Sequence, residues 1–284
     1  MEKKAKLKKR LLSFIYFFLF LLIVLSVIYI INAFKLKKEA LEETKLLNTV
    51  KIQDNAFTEE VTENEEEENI EKEQDKVENN EVEEIEKTTE RMLKVQKLQG
   101  EENSDIVGWL EIEDTSINYP VLQDTDNEYY MTHNYKKQKS KNGSIFLTKD
   151  YDWSIPSSNL LIYGHNLNNG TMFQELLKYE KESFYKQHPV IRFTTENEDA
   201  EYEIIAVLKA RVYYKSEKNV FRYYYFVNAK TEDEYNEFVK NAKSESLYSI
   251  DKTAKYGEQL ITLSTCSYHV KDGRFAVVGR KKVE

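Results

Sequence analysis

Cys266 is the only cysteine among 284 residues, and a thiol alone in its chain cannot close an internal disulfide. It ends the run Leu263-Ser264-Thr265-Cys266, a stretch that reads as a β-strand, and Arg274 follows shortly after it. A free thiol is mostly protonated near neutral pH, so a nucleophilic cysteine needs a neighbouring acid–base group or positive charge. The plainer use of a free cysteine is as a small buried hydrophobe. Strand alternation argues for the first use, because it puts Ile261 and Leu263 on one face and Thr262, Ser264 and Cys266 on the other, more polar face.

Four histidines are available as partners. His165 ends the apolar run Asn159-Leu160-Leu161-Ile162-Tyr163-Gly164, with Asn166 opening the next loop, and a histidine at a strand end faces a rim or a cleft. Gly164 permits close approach of another backbone. His133 lies in a polar loop, His188 precedes Pro189, and His269, three residues past Cys266, is expected on the opposite strand face. Arg274 opens the strand Phe275-Ala276-Val277-Val278 after a turn through Lys271-Asp272-Gly273. An adjacent antiparallel strand would carry its guanidinium back beside Cys266, where a fixed, always-charged fork suits an oxyanion or a substrate carbonyl. Taken singly, His165 also reads as a satisfied rim histidine and Arg274 as a surface ion-pair residue.

The elements that must position these groups are mostly strands. From about Asn103 onward, candidates are Val107 to Glu113, Ser116 to Leu122, Gly143 to Thr148, Asn159 to His165, Val190 to Thr195, Tyr202 to Tyr213, Gln259 to Ser267 and Arg274 to Lys281. Eight strands in this length predict a mainly β fold, a closed or nearly closed barrel. Thr171 to Tyr179 is a short helix candidate. Thr231 to about Ala242 is another, opening with the capping-box pattern Thr-Glu-Asp-Glu before Tyr235, Phe238 and Val239. It lies in a long connection before the cysteine-bearing strand, and long connections are often functional.

The first hundred residues differ in kind. Lys3, Lys4, Lys6, Lys8, Lys9 and Arg10 precede 24 uncharged, mostly apolar residues from Leu11 to Phe34. As a helix that run spans roughly 36 Å against a hydrocarbon core of about 30 Å. Residues 1–38 therefore predict a basic tail and a transmembrane anchor rather than a cleaved signal peptide, whose apolar run is shorter. The stronger basic cluster lies before the helix, which orients the N-terminus to the cytoplasm and the rest outside the cell membrane. Residues 39–82 read as an acidic, disordered stalk without Gly or Pro. From Asn55 to Arg91 there are 16 acidic against 4 basic residues, a net charge of −12 where the whole chain carries −9. So little apolar surface cannot offset chain entropy. Near its end Val82, Ile85, Thr89, Met92 and Val95 recur at helical spacing and predict an amphipathic helix docked on the folded domain, residues 83–284.

Composition excludes some functions. The exported portion is acidic, which argues against nucleic acid. No His-Glu-x-x-His, cysteine pair or acidic ligand loop is present, so neither a metal nor another cofactor is expected.

Tyr163-Gly164-His165-Asn166, Leu263-Ser264-Thr265-Cys266-Ser267-Tyr268 and Arg274 together resemble the histidine, Thr-Leu-x-Thr-Cys and arginine signatures of sortases, the membrane-bound cysteine transpeptidases of Gram-positive bacteria. Asn103-Ser104-Asp105-Ile106-Val107-Gly108-Trp109-Leu110, Ile117-Asn118-Tyr119-Pro120-Val121, Asp126-Asn127-x-Tyr129-Tyr130 and Gly143-Ser144-Ile145-Phe146 look like the class B branch. The resemblance covers about Glu83 to Lys282, and the acidic stalk is longer than the family implies. It implies an eight-stranded sortase-type barrel, with a helix before the barrel and one inserted before the cysteine-bearing strand. It further implies that Cys266 attacks the carbonyl after a Thr in a C-terminal sorting motif of a secreted protein, and that an amine of a cell-wall precursor or a pilin resolves the thioacyl intermediate. His165 would carry the proton and Arg274 would hold substrate and oxyanion, with Thr265, Ser264, Tyr268 and Asn166 as candidate substrate contacts. Two other classes remain at this stage: a secreted cysteine peptidase that only hydrolyses, and a non-catalytic wall-facing binding module.

Overall fold

Apolar residues, alternating along the first half of β6 and continuous in β3 and β4, produce a strand at each of the eight expected places. The computed structural model describes residues 74–155 and 157–283, with side chains from Glu84 onward. The strands are β1 (Ile106–Glu111), β2 (Asn118–Leu122), β3 (Ile145–Leu147), β4 (Asn159–Tyr163), β5 (Val190–Thr194), β6 (Asp199–Arg211), β7 (Leu260–Cys266) and β8 (Gly273–Lys281). They close into a barrel in the order β1-β2-β3-β4-β7-β8-β6-β5, with β5 pairing back onto β1. Closure leaves no free sheet edge. The pairs β2–β3 and β4–β7 are parallel, and the other neighbours are antiparallel. Leu110, Val121, Leu161, Ile191, Val207, Leu263 and Val277 have no exposed surface. Each such side chain contributes about 1.5–3 kcal/mol before chain entropy is set against it.

Helix α1 (Gln74–Glu101) docks on β1, β5 and β6, and it reaches back past Glu83, the expected domain boundary. The docked stripe differs from the expected one. Ile85 is 65% exposed, whereas Val95 is 1% exposed and Thr88, Arg91, Met92, Leu98 and Gln99 are half-buried beside it. Charge explains the rotation. Arg91 Nε donates at 2.7 Å to Asp199, whose carboxylate also accepts from Arg192 Nη1 at 2.9 Å and Thr194 Oγ1 at 2.5 Å. Lys94 Nζ lies 3.7 Å over the Trp109 ring, a cation–π contact. These partners seat the Arg91 side of the helix and leave Ile85 in solvent.

The first expected inner helix forms as a 3₁₀ segment, Phe173–Glu180, followed by the short α2 (Glu182–Gln187). Glu175 within it is buried and accepts the Ser116 backbone N–H at 2.6 Å and Lys178 Nζ at 2.5 Å. Burial disfavours its charge, but those donors prevail and hold its carboxyl below the usual range. The second inner helix, α3 (Glu232–Ser244), starts as expected at Thr231, whose Oγ1 accepts from Glu234 N–H at 3.2 Å. The returning Glu234 carboxylate takes the N–H of Lys230 rather than that of the cap itself. Tyr235, Phe238, Val239 and Ala242 are its buried face, and Phe238 stacks on Phe226 with centroids 4.0 Å apart.

Among the described residues no helix is long and apolar enough to cross a membrane. The expected anchor, residues 1–38, and most of the expected stalk lie outside the described residues.

Candidate active site

Strands β4 and β7 run parallel with Tyr163 opposite Ser264 as the last rung. Continued past that rung, the register sets Gly164 beside Thr265 and His165 beside Cys266. Three bonds hold it there. Gly164 N–H donates to Ser264 O at 3.1 Å, Thr265 Oγ1 donates to Gly164 O at 2.7 Å, and Asn166 Nδ2 donates to Cys266 O at 2.9 Å. The sheet ends, and side chains continue its pairing for two more residues.

On the other edge of β7, Cys266 faces Arg274 of β8, as the turn through Gly273 predicts. Ser267 N–H donates to Gly273 O at 3.0 Å, so the neighbouring Cys266–Arg274 rung is the one without ladder hydrogen bonds. In such a rung the Cα atoms are about 4.5 Å apart and the two side chains lie on one face. Arg274 Nη1 donates to Gly273 O at 3.0 Å and to Asp272 O at 3.4 Å, which aims the guanidinium along its own turn. Asp272 takes a left-handed φ of 57° to make that turn. Cys266, His165 and Arg274 are each half-buried, accessible to a ligand yet partly shielded from water. Cys266 is a free thiol.

His165 has a partner that sequence reasoning did not find: its Nε2 lies 2.8 Å from the backbone carbonyl of Met131. Met131 belongs to a 3₁₀ turn, Tyr129–Met131, and a backbone carbonyl leaves no residue-type trace. The other histidines are engaged elsewhere. His133 stacks on Tyr129 at 4.0 Å, His188 Nδ1 meets Glu113 O at 3.0 Å, and His269 Nδ1 meets Ser267 Oγ at 2.9 Å. His269 lies in the turn beyond Cys266, so no strand face applies to it.

Gly164 has its predicted tight approach, though to side chains rather than to backbone. A Cβ there would lie 2.4 Å from Ile145 and 2.7 Å from Phe173.

The candidate substrate contacts separate. Ser264, 1% exposed, is hydrogen-bonded at 2.8 Å to the fully buried Tyr223 hydroxyl. Thr265, 2% exposed, bonds Gly164, and Asn166 is buried on Cys266. All three hydroxyl or amide groups are therefore engaged inside the protein, positioning the strand ends. Tyr268 alone stands in solvent, 77% exposed in the β7–β8 turn. Tyr223, from the β6–β7 connection, walls the Ser264 face, and burial pushes its phenol above the usual range. Burial likewise raises Tyr163 to about 12, reinforced by Asp150 and opposed by Arg274. Among the described residues no group of three His, Cys, Asp or Glu side chains is arranged to hold a metal ion.

This arrangement sets a histidine two residues past the end of one flanking strand and an arginine on the other flanking strand, opposite the thiol. It suits acyl transfer: a nucleophile, a proton carrier and a cationic donor for a developing oxyanion. A family model described as the sortase domain matches residues 110–282. The chain is 35% identical over 182 residues to sortase B of Listeria monocytogenes, covering 63% of this chain and 70% of that protein. Its fold is similar to the Staphylococcus aureus sortase B–substrate complex, with a TM-score of 0.61 and 26% identity over 73% of this chain and 97% of that one. It is also similar to a sortase B complexed with triglycine, with a TM-score of 0.60 and 26% identity over 73% and 98% of the two chains. A thiol flanked by histidine and arginine at adjoining strand ends of this barrel, together with these matches, means that the chain belongs to the sortase family of cysteine transpeptidases and to its class B.

Proposed function

We propose that Cys266 is the nucleophile, His165 the proton carrier and Arg274 the oxyanion and substrate ligand of this transpeptidase. The observation that supports the assignment is the register of β7, which pairs Arg274 with Cys266 on one edge and, on the other, runs with β4 to Tyr163 opposite Ser264, two residues short of His165 and Cys266. His165 takes the thiol proton, and the sulfur adds to the carbonyl carbon of a Thr in the sorting motif. Negative charge moves to the carbonyl oxygen, where the Arg274 guanidinium receives it. As the C–N bond breaks, His165 returns the proton to the leaving amine, and a thioester remains on Cys266. An incoming amine then loses its proton to His165, adds to the thioester carbonyl and displaces sulfur, which recovers the proton as the thiol. Splitting amide exchange in this way lowers each barrier.

The acceptor is a primary amine of a cell-wall precursor or of a pilin. The similarity to a sortase B complexed with triglycine supports an amine nucleophile. Residues 1–38 anchor the chain in the cell membrane with the N-terminus inside, supported by the 24 uncharged residues behind a basic cluster. The acidic residues from 39 up to the start of α1 at Gln74 space the catalytic domain away from that membrane on its outer side.

The test uses the full-length protein with quenched Thr-containing pentapeptides, with and without triglycine, followed by mass spectrometry. Cleavage after Thr with triglycine joined to the new end, all lost in Cys266→Ala, is the expected result. Hydrolysis indifferent to the amine would point to a peptidase. No cleavage and no adduct on Cys266 would point to a binding module.

A further inference from the structure

The Met131 carbonyl can only accept a hydrogen bond, so the His165 nitrogen 2.8 Å from it, Nε2, carries the hydrogen. In the neutral ring that leaves Nδ1 as the basic atom. The position of this carbonyl therefore decides which nitrogen His165 offers and where the ring points.

The turn bearing the carbonyl is itself anchored. Tyr130, next to Met131, is 2% exposed. Its hydroxyl donates to Asp105 Oδ2 at 2.6 Å and accepts from Asn103 Nδ2 at 2.9 Å. Asn103 Oδ1 also accepts the Asp105 backbone N–H at 2.9 Å, and Lys137 Nζ pairs with Asp105 at 2.9 Å. Asn103 and Asp105 stand between α1 and β1, so one phenol ties the turn to the junction of the docked helix and the barrel. From the other side, Tyr130 O accepts the Ser144 N–H at 2.8 Å. Gly143, at φ +60°, closes the gap: a Cβ on it would lie 2.7 Å from the carbonyls of both Tyr130 and Met131 and 3.0 Å from the His165 ring. Tyr130, the turn and His165 thus form one packed unit with no slack.

We propose that Tyr130, held by Asp105 and Asn103, is a positioning residue for His165: it fixes the Met131 carbonyl on Nε2–H, so that Nδ1 is the atom that takes and returns the proton. The assignment rests on His165 being the proton carrier. In each half-reaction Nδ1 accepts one proton, from the thiol or from the incoming amine, and gives one back, to the leaving amine or to sulfur. Nε2 keeps its own throughout.

The experiment uses full-length protein labelled with ¹⁵N-histidine. In wild type the neutral form of the His165 ring should be the Nε2–H tautomer. Tyr130→Phe keeps the ring and loses the hydroxyl. It should give mixed tautomers and lower kcat by about ten- to a hundredfold, with KM within about twofold, because misplacement of a reacting group acts on the chemical step. Asp105→Asn still accepts the phenol hydrogen and should stay near wild type, whereas Asp105→Ala should behave like Tyr130→Phe. The Asp105 pair also decides the matter if Tyr130→Phe does not fold. An Nδ1–H tautomer in wild type, an unchanged kcat in folded Tyr130→Phe, or equal impairment of the two Asp105 variants would overturn the proposal. His165→Ala separates the two levels. If it retains wild-type rates, the proton-carrier assignment fails first; if it is inactive while Tyr130→Phe is unimpaired, only the anchoring role fails.

Discussion

Thr265→Val tests whether the bonds beyond the last β4–β7 rung set the distance between thiol and imidazole. Valine keeps the shape of threonine and removes the hydroxyl that reaches Gly164 O at 2.7 Å in a site only 2% exposed. No water reaches that carbonyl easily, so the loss is closer to an unsatisfied buried group than to a net hydrogen bond, about 1–3 kcal/mol. For a domain of this size that lowers Tm by about 2–12 °C. Gly164 directly precedes His165, so release of its carbonyl lets the imidazole drift from Cys266, and kcat should fall by about ten- to a hundredfold with little change in KM. Thr265→Ser should restore both. Asn166→Ala removes the neighbouring bond to Cys266 O, and its effect should be less than additive with Thr265→Val, since both brace the same two strand ends. The assays are a thermal melt and stopped-flow acylation with a quenched peptide. A Thr265→Val protein that melts lower but acylates normally refutes the bracing argument. A rise confined to KM would instead make Thr265 a substrate contact.

Arg274→Ala should slow acylation by about a hundred- to a thousandfold, the range for removing one oxyanion donor. Arg274→Lys should recover only part of it, because an ammonium keeps the charge without the fork. Equal acylation rates in all three proteins would remove Arg274 from the oxyanion site. Asp199→Ala should lower stability by about 3 kcal/mol, the lower end for a broken buried pair, because Glu84 and Glu201 still partner the arginines. An unchanged melting temperature would mean that the cluster does not hold α1. At high pH, Tyr163 is raised from about 10 in the unfolded chain to about 12 in the folded one. Its contribution to stability is thus complete below about pH 10 and lost as pH climbs through about 12. Denaturant titrations should show that decline, less steep in Tyr163→Phe; identical slopes would refute it.

The barrel was legible because strand patterning is a local property: alternating or short continuous apolar runs between turn residues mark each strand wherever its partner lies. The Cys266–Arg274 rung was legible for a similar reason, since a short turn between two strands leaves little choice of register. The pairing of β4 with β7 was harder, because about a hundred residues separate His165 from Cys266. Only the strand-end position of His165 and the set of motifs pointed to it. What stayed hidden depends on long-range partners. Ser264 and Thr265 look like polar groups offered to a ligand, but Tyr223 and Gly164 engage their hydroxyls from distant parts of the chain. Ile85 fits the expected helix stripe, yet Arg91 follows Asp199 and turns the helix. Met131 O acts through its backbone, which no side chain reports.

The parallel β4–β7 pair also sets when the proposed site can assemble. Its two strands are joined through β5, β6 and the long connection carrying α3, so their pairing is a contact of high order and costs much loop entropy to form. Until it forms, Cys266 has no imidazole brought near it to take the thiol proton. An unfolded chain therefore lacks the paired histidine that the proposed acyl transfer requires. Under the proposed mechanism, this topology withholds nucleophilicity until the barrel closes.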